Sequence, residues 1–429
     1  VSAAGSASED AARAASASAG GDGGAGAGGE QPVAARDGAT RLLQLLAEPA
    51  RWTHRRVERV VFLDDRTVRR RVSVDFEVPA ELEGVPVPLA LLRKRPLVEF
   101  DLRDEGGRAL PMLTRRQNGG LAAEVLLAAA EGVGGALAPE LAGDLRRLAT
   151  AAVEEAEGVL EDLRRGSRGE AGAALLDDPA FESLAFELAR GFLLLVDVPA
   201  GGGRRILKFG YAEPLAWRTT LPQRMSWRAA GVEIDVPAVA RAGSYHLEVQ
   251  APEGLEIAWA SLLAFGGGGG FEEHVVEEEG LARVHLYLSD VPYGADGVAG
   301  VWLRTPARGF LRQAWLSGAA TTASLLLLTL LAPRLTAANA GAAGGILLAA
   351  PGFLSLFVAR PGEHRMLSRL LLGVRAVLLT QAAASYLGAL VLVAFSGGPG
   401  AQRWLGGLLA ASATLTVSLT ASLTSPKRP

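Results

Sequence analysis

The chain has 429 residues, 49% apolar and 21% charged, with 43 basic side chains against 46 acidic ones and a formal charge of −3. It contains no cysteine, which excludes a disulfide framework, thiol catalysis and cysteine-ligated zinc, and its balanced charge excludes dedicated nucleic-acid packaging. A mean hydropathy of +0.23 beside so much charge implies two solvents for two parts of the chain, one aqueous and one lipid.

Residues 1–40 are Ala, Gly and Ser with scattered acids. That composition buries too little surface to offset ordering entropy, so a disordered tail is expected. No apolar core of about 7 to 15 residues stands near the start, so no secretory signal is expected either. Residues 57–62 and 68–78 then flank Asp64, Asp65 and Arg66. In the second run Val72, Val74, Phe76 and Val78 alternate with Ser73, Asp75 and Glu77, a period of two that predicts a half-buried hairpin. Residues 97–102 and 110–113, around Asp104 and Gly107, predict a second hairpin.

The period changes at Leu141, Leu145, Leu148, Ala152, Ala156, Leu160 and Leu163, which predict one amphipathic helix of about 25 residues. Shorter helices are expected over 121–131 and 179–190, the latter capped by Asp178. Strand patterns return at 192–198, 205–209, 232–236, 245–250, 255–263, 271–277, 282–288 and 298–304, at the spacing of a β-sandwich. Two sheets or sandwiches bridged by helices would give the same spacing.

No ionisable residue occurs in 313–332, 335–358, 376–402 or 404–426. Each window holds the roughly 20 residues that cross about 30 Å of hydrocarbon, and spans are expected at 315–332, 341–359, 376–395 and 404–423. Arg304, Arg308, Arg312, Arg360, Arg365, Arg369, Lys427 and Arg428 flank one side of such a bundle, against Arg334 and Arg403 on the other. This bias predicts a multi-pass protein of the cell membrane with both termini cytoplasmic, including a short tail at 425–429. The expected class is therefore α+β: a cytoplasmic β-sandwich-like domain over 41–304, with a helical insertion at about 120–190, followed by a C-terminal four-helix transmembrane bundle.

Three groups of residues are candidate sites. A turn centred on Glu279 and Gly280 would set His274 opposite His285, with Glu272 on the same face, a His, His, carboxylate set able to hold a metal. Arg55, Arg56, Arg69, Arg70 and Arg71 belong to the densest basic cluster of the soluble part, suited to a nucleotide phosphate, an anionic lipid head or an acidic partner. Alternation puts Arg70 on the opposite face from Arg69 and Arg71. Gly406, Ala410, Thr414, Ser418 and Ser422, spaced by four, form a small-residue seam for helix packing within or between chains.

The run 266–270 is all glycine, but Phe271 and Glu272 follow it where a phosphate loop needs Lys and Ser or Thr. No nucleophile elbow, zincin histidine pair or calcium loop is present. No cofactor or nucleic acid is expected. The patterns point to a non-enzymatic, membrane-anchored interaction or sensing module that binds lipid and a partner protein, a small ligand or a second copy. A bundle that oligomerises into a pore when the cytoplasmic domain is triggered is the alternative, and a metal-dependent enzyme using the two histidines comes third.

Overall fold

The computed structural model describes residues 31–82, 84–167, 170–198, 203–265, 271–276, 280–292, 294–358, 364–396 and 398–424. Helix α1 (Gln31–Ala47) and the single turn α2 (Pro49–Trp52) lead into β1 (Thr53–Phe62) and β2 (Thr67–Phe76). Then come β3 (Val87–Arg93) and β4 (Val98–Arg103), followed by five helices: α3 (Arg115–Gly134), α4 (Pro139–Thr150), α5 (Val153–Arg164), α6 (Glu170–Leu176) and α7 (Pro179–Arg190). The chain continues through β5 (Gly191–Val196), β6 (Arg205–Pro214), the turn α8 (Leu221–Arg224), β7 (Ala230–Asp235), β8 (Ser244–Gln250) and β9 (Glu256–Phe265). The last strands are β10 (Phe271–Val276), β11 (Arg283–Ser289) and β12 (Asp296–Arg304). Helices α9 (Phe310–Leu331), α10 (Ala337–Val358), α11 (Arg365–Leu370), α12 (Leu372–Ala394) and α13 (Gly398–Thr424) complete the chain.

One long sheet, in the order β11-β8-β1-β2-β6-β4, is the platform. Its inner face is set by alternation: Val60, Phe62, Val68, Val72, Val74 and Phe76 are all buried while their neighbours are not. Two smaller sheets cover that face. The β10-β9-β12-β7 sheet closes over one half, sharing a core of Tyr245, Leu247, Ile257, Leu262, Val284 and Val301. The β3-β5 ribbon covers the other half through Leu89, Leu92, Leu194 and Val196. The far side of that ribbon presents Leu193 and Leu195 to the helical layer, where Leu126, Leu145, Leu148, Leu160 and Phe181 are buried. The fold is thus α+β, a sandwich with a helical layer, joined to four long apolar helices.

The local chemistry explains most boundaries. Thr114 forms a reciprocal capping box with Gln117 and so starts α3, and Asp178 accepts from Phe181 N at 2.8 Å to start α7. Three expectations change. The helix expected across 141–163 is broken at Ala151, which takes an extended conformation, so that α4 and α5 each turn their apolar stripe onto the same core. The Ala-rich residues 149–152 hold no Gly or Pro to announce the break. The second hairpin reduces to a turn at Asp104–Gly107 and a single bridge between Arg103 and Ala109, because β4 pairs with β6. Finally, α1 occupies 31–40, part of the expected tail, and buries Ala39, Leu42 and Leu45.

Among the described residues four helices are long and apolar enough to cross a membrane: Phe310–Arg334, Ala338–Val358, Leu372–Ala394 and Gly398–Thr424. Only 22–44% of each apolar window is buried inside the bundle, and Leu330, Ile346, Phe353, Phe357, Leu390 and Val417 point outward. An outward apolar belt needs hydrocarbon around it, as expected of a multi-pass membrane protein. The sandwich sits on the end of the bundle where α9 begins and α13 finishes. Its core cluster runs without interruption from Val249 and Leu286 into Leu311, Ala314, Met366, Leu367, Leu370, Val374, Leu378 and Leu419.

Gly254 sits at this junction with φ +80°, and a Cβ there would stand 2.5 Å from Leu367 Cδ2. Gly254→Ala is expected to destabilise the whole protein by about 1–3 kcal/mol, read as a lowered Tm of the detergent-solubilised chain. An unchanged Tm would mean that domain and bundle are not packed this way.

Candidate functional site

The inner and outer faces of the long sheet divide the arginine cluster by strand alternation. Arg56, Glu58 and Arg70 point inward and are about 96% buried, whereas Arg55 and Arg71 are exposed and Arg69 pairs with Glu99 on the outer side. The five arginines therefore do not form one anion-binding patch. Between the two covering sheets, Arg56 Nε donates to Glu58 Oε1 at 2.8 Å and Arg70 Nη1 to Glu58 Oε2 at 2.9 Å. Arg70 also pairs with Glu213, which takes a third arginine, Arg95, at 2.7 Å.

The remaining donors of this network tie the covering sheets together. Arg56 Nη1 reaches Leu89 O on β3 at 2.9 Å, and Arg70 Nη2 reaches Asp235 O at the end of β7. Burial opposes the charge on Glu58, but the guanidiniums of Arg56 and Arg70 outweigh it and hold the carboxyl below its ordinary 4.5. Burial and the negative charge of Glu58 push the Tyr245 hydroxyl well up, and burial pushes Tyr211 up to about 12, so both phenols stay neutral. A fully hydrogen-bonded ion network is expensive to desolvate and specific in geometry. It fixes how the two halves of the platform are covered.

The histidines are arranged differently from the expected hairpin. β10 pairs with β9, with His274 opposite Leu262, and β11 crosses to the other sheet and pairs with β8, with His285 opposite Glu248. The apolar alternation of β11 is satisfied equally by either neighbour, which is why the register could not be read from it. Residues 277–279 of the expected turn lie outside the described residues. His285 Nε2 instead meets His246 Nδ1 at 3.0 Å, with the rings stacked at 5.1 Å. His274 Nδ1 accepts from Tyr287 N at 2.8 Å, clasping the edge of β11 to that of β10. Among the described residues no group of three His, Asp or Glu side chains could hold a metal, and the side chain of Glu272 lies outside them. Burial and the nearby Arg55 depress the His246 pKa.

The junction with the membrane helices is held by polar contacts from several parts of the chain. At the turn between β1 and β2, Leu63 O is contacted by His364 Nε2 at 3.1 Å, and Asp65 pairs with Arg369 of α11 at 2.8 Å. In the segment before β7, Trp227 Nε1 donates to Ser418 O at 3.1 Å and Met225 O accepts from Ser422 at 2.7 Å, both on α13. Arg375 is buried at the start of α12, where it donates to Ser368 Oγ at 2.6 Å and lies over the Phe310 ring. Neither Arg375 nor the Trp227 contact had a signal in the sequence beyond residue type.

No protein-family model matches the chain, and no curated protein does.

Deeper in the bundle, fully buried Gln381 exchanges bonds with Ser412, donating to its carbonyl at 3.0 Å and accepting from its hydroxyl at 2.7 Å, and Thr416 and Thr322 join this knot. Beyond it Leu325, Leu328, Leu348, Leu392 and Leu405 fill the interior. The small-residue seam is split: Ser422 is buried, Gly406 and Ser418 are half-buried, and Ala410 and Thr414 face outward. Spacing by four drifts around a helix of 3.6 residues per turn, and the packed face of α13 runs instead through Ala401, Leu405, Ser412 and Leu419.

Glu58→Gln leaves Arg56 buried without its counter-charge and Arg70 with Glu213 alone, and is expected to cost about 3–5 kcal/mol in unfolding experiments. The pH dependence has a defined sign. A carboxyl depressed in the folded state contributes stability above 4.5 and loses it as pH falls through the folded value, so Glu58→Gln should also flatten the acid limb of the wild-type stability curve.

Proposed function

We propose that this protein is a non-enzymatic, membrane-anchored interaction or sensing module of the cell membrane, with its sandwich and both chain ends in the cytoplasm. The observation that carries this reading is the single apolar core running from the sandwich into the helix ends. A tethered domain that merely needed localising would require no such continuity. Here a partner protein or small ligand held on the sandwich acts on the positions of α9, α11 and α13 through side chains in direct contact. The solvent face of the long sheet, with Arg55, Arg71, His246, His285 and Tyr287, is the surface offered to that partner.

Orientation follows from the arginine bias. Arg308, Arg312, Arg365 and Arg369 lie at the sandwich end, Arg334 and Arg403 at the other; Arg360, Lys427 and Arg428 lie outside the described residues. The native chain has no cysteine, so single substitutions report sidedness directly. With a membrane-impermeant maleimide on intact cells, Arg334→Cys should label at once and Arg71→Cys only after permeabilisation. The opposite pattern would refute the cytoplasmic placement. Liposomes holding the purified protein should retain a trapped dye, and steady leakage would replace the module by the pore-forming alternative.

A further inference from the structure

Two stretches of chain bring arginines without carboxylate partners to the sandwich end of the bundle. Residues 214–232 contain Arg218, Arg224 and Arg228 and no acid, and from Thr305 to the end of the chain Glu363 is the only acid. Ser226 Oγ stands 3.4 Å from Thr305 Oγ1, which brings these two stretches side by side. Arg218, Arg228, Arg308 and Arg312 are exposed and make no ion pair among the described residues, in contrast to Arg304 and Arg369, which are bridged to Glu256 and Asp65.

The height of this cluster is fixed by its neighbours. Turn α8 packs on α11 and α12, and Gly373 has no room for a Cβ because Met225 Sδ and Arg224 O lie 2.5 and 2.9 Å from where it would stand. Trp227 and Trp315 donate their indole N–H groups to Ser418 O and Thr420 Oγ1, one to two turns inside the end of α13 at Thr424. Paired tryptophans at that depth mark the headgroup layer. Leu221 is 68% exposed and Leu372 52% exposed beside these arginines. Exposed leucine next to unpaired arginine matches the boundary where acyl chains give way to phosphate.

We infer that Arg218, Arg228, Arg308 and Arg312 form a collar that binds the phosphates of anionic phospholipid headgroups, with Leu221 and Leu372 seated among the upper acyl carbons. The collar depends only on the bundle lying in a membrane, so it stands or falls separately from the sidedness and partner binding proposed above. It also moves lipid recognition away from the Arg55–Arg71 cluster, where Arg56 and Arg70 are spent on Glu58.

The test uses the full-length protein in mixed micelles or nanodiscs of phosphatidylcholine with or without phosphatidylglycerol. Retained lipid is quantified by mass spectrometry and Tm is followed in parallel. Wild type should retain phosphatidylglycerol over phosphatidylcholine by about tenfold or more, fading as salt rises from about 0.05 to 0.5 M. Replacing Arg218, Arg228, Arg308 and Arg312 together by Gln should abolish most of that preference, while an equal charge loss at Arg51, Arg55, Arg71 and Arg116 should leave it intact. If the fourfold variant does not fold, Arg228→Gln with Arg308→Gln should still halve the preference at least, and the salt dependence of wild type needs no variant. Equal retention of the two lipids by wild type, or equal loss in both variant sets, would overturn the collar.

Discussion

Everything in this structure depends on how the rim of the sandwich meets the ends of four apolar helices without a gap. A soluble domain next to a bilayer ordinarily needs a polar surface on every side, and a bundle needs polar ends. Here both give up that requirement at one place: Leu311, Met366, Leu367 and Leu371 are buried against the sandwich. Once those side chains are shared, neither part has a complete core alone. The polar contacts around them, from Leu63 O to His364 and from Trp227 to Ser418 O, set direction more than strength, because each is worth little net of hydration.

The buried ion network performs a related task inside the domain. The long sheet is too wide for either cover, and the place where two covers meet would otherwise leave the edges of β3 and β7 free to slide. Arg56 and Arg70, anchored by Glu58, reach the carbonyls of Leu89 and Asp235 and so fix that seam. An apolar filling would be cheaper to bury but would carry no directional information. Tyr211 and Tyr245, held neutral, line the network without competing for its charge.

How much of this could be read from the sequence follows the physics of each signal. The four spans were legible because the absence of charge over twenty residues has few other causes, and the strands from β5 to β12 were legible because alternation survives any choice of neighbour. Pairing was not: the side chains of β11 alternate identically whether it lies beside β10 or β8, so His285 met His246 rather than His274. Strand β3 gives no clear strand pattern because Pro86 and Pro88 interrupt it, a cost tolerated on an edge strand with an irregular register at Pro88. Arg56 and Arg70 look in sequence like two more members of a solvated cluster. Only the position of Glu58, two residues from Arg56 on the same face, hinted that they turn inward. The junction had no local signature at all, since Gly254, Leu367 and Ser418 meet only through the fold.

One feature of the sheet also governs the order in which the molecule can be made. β1 lies beside β8 in parallel, so the middle of the platform remains an open edge until residues 244–250 have left the ribosome. The first apolar helix follows shortly after, and the strand leading into it, β12, is itself central in the smaller sheet. Closure of the domain and delivery of the chain to the insertion machinery therefore fall within the same short interval of synthesis. Contacts this distant in sequence form slowly, so β1 keeps one edge unpaired for much of the time that the chain is being translated.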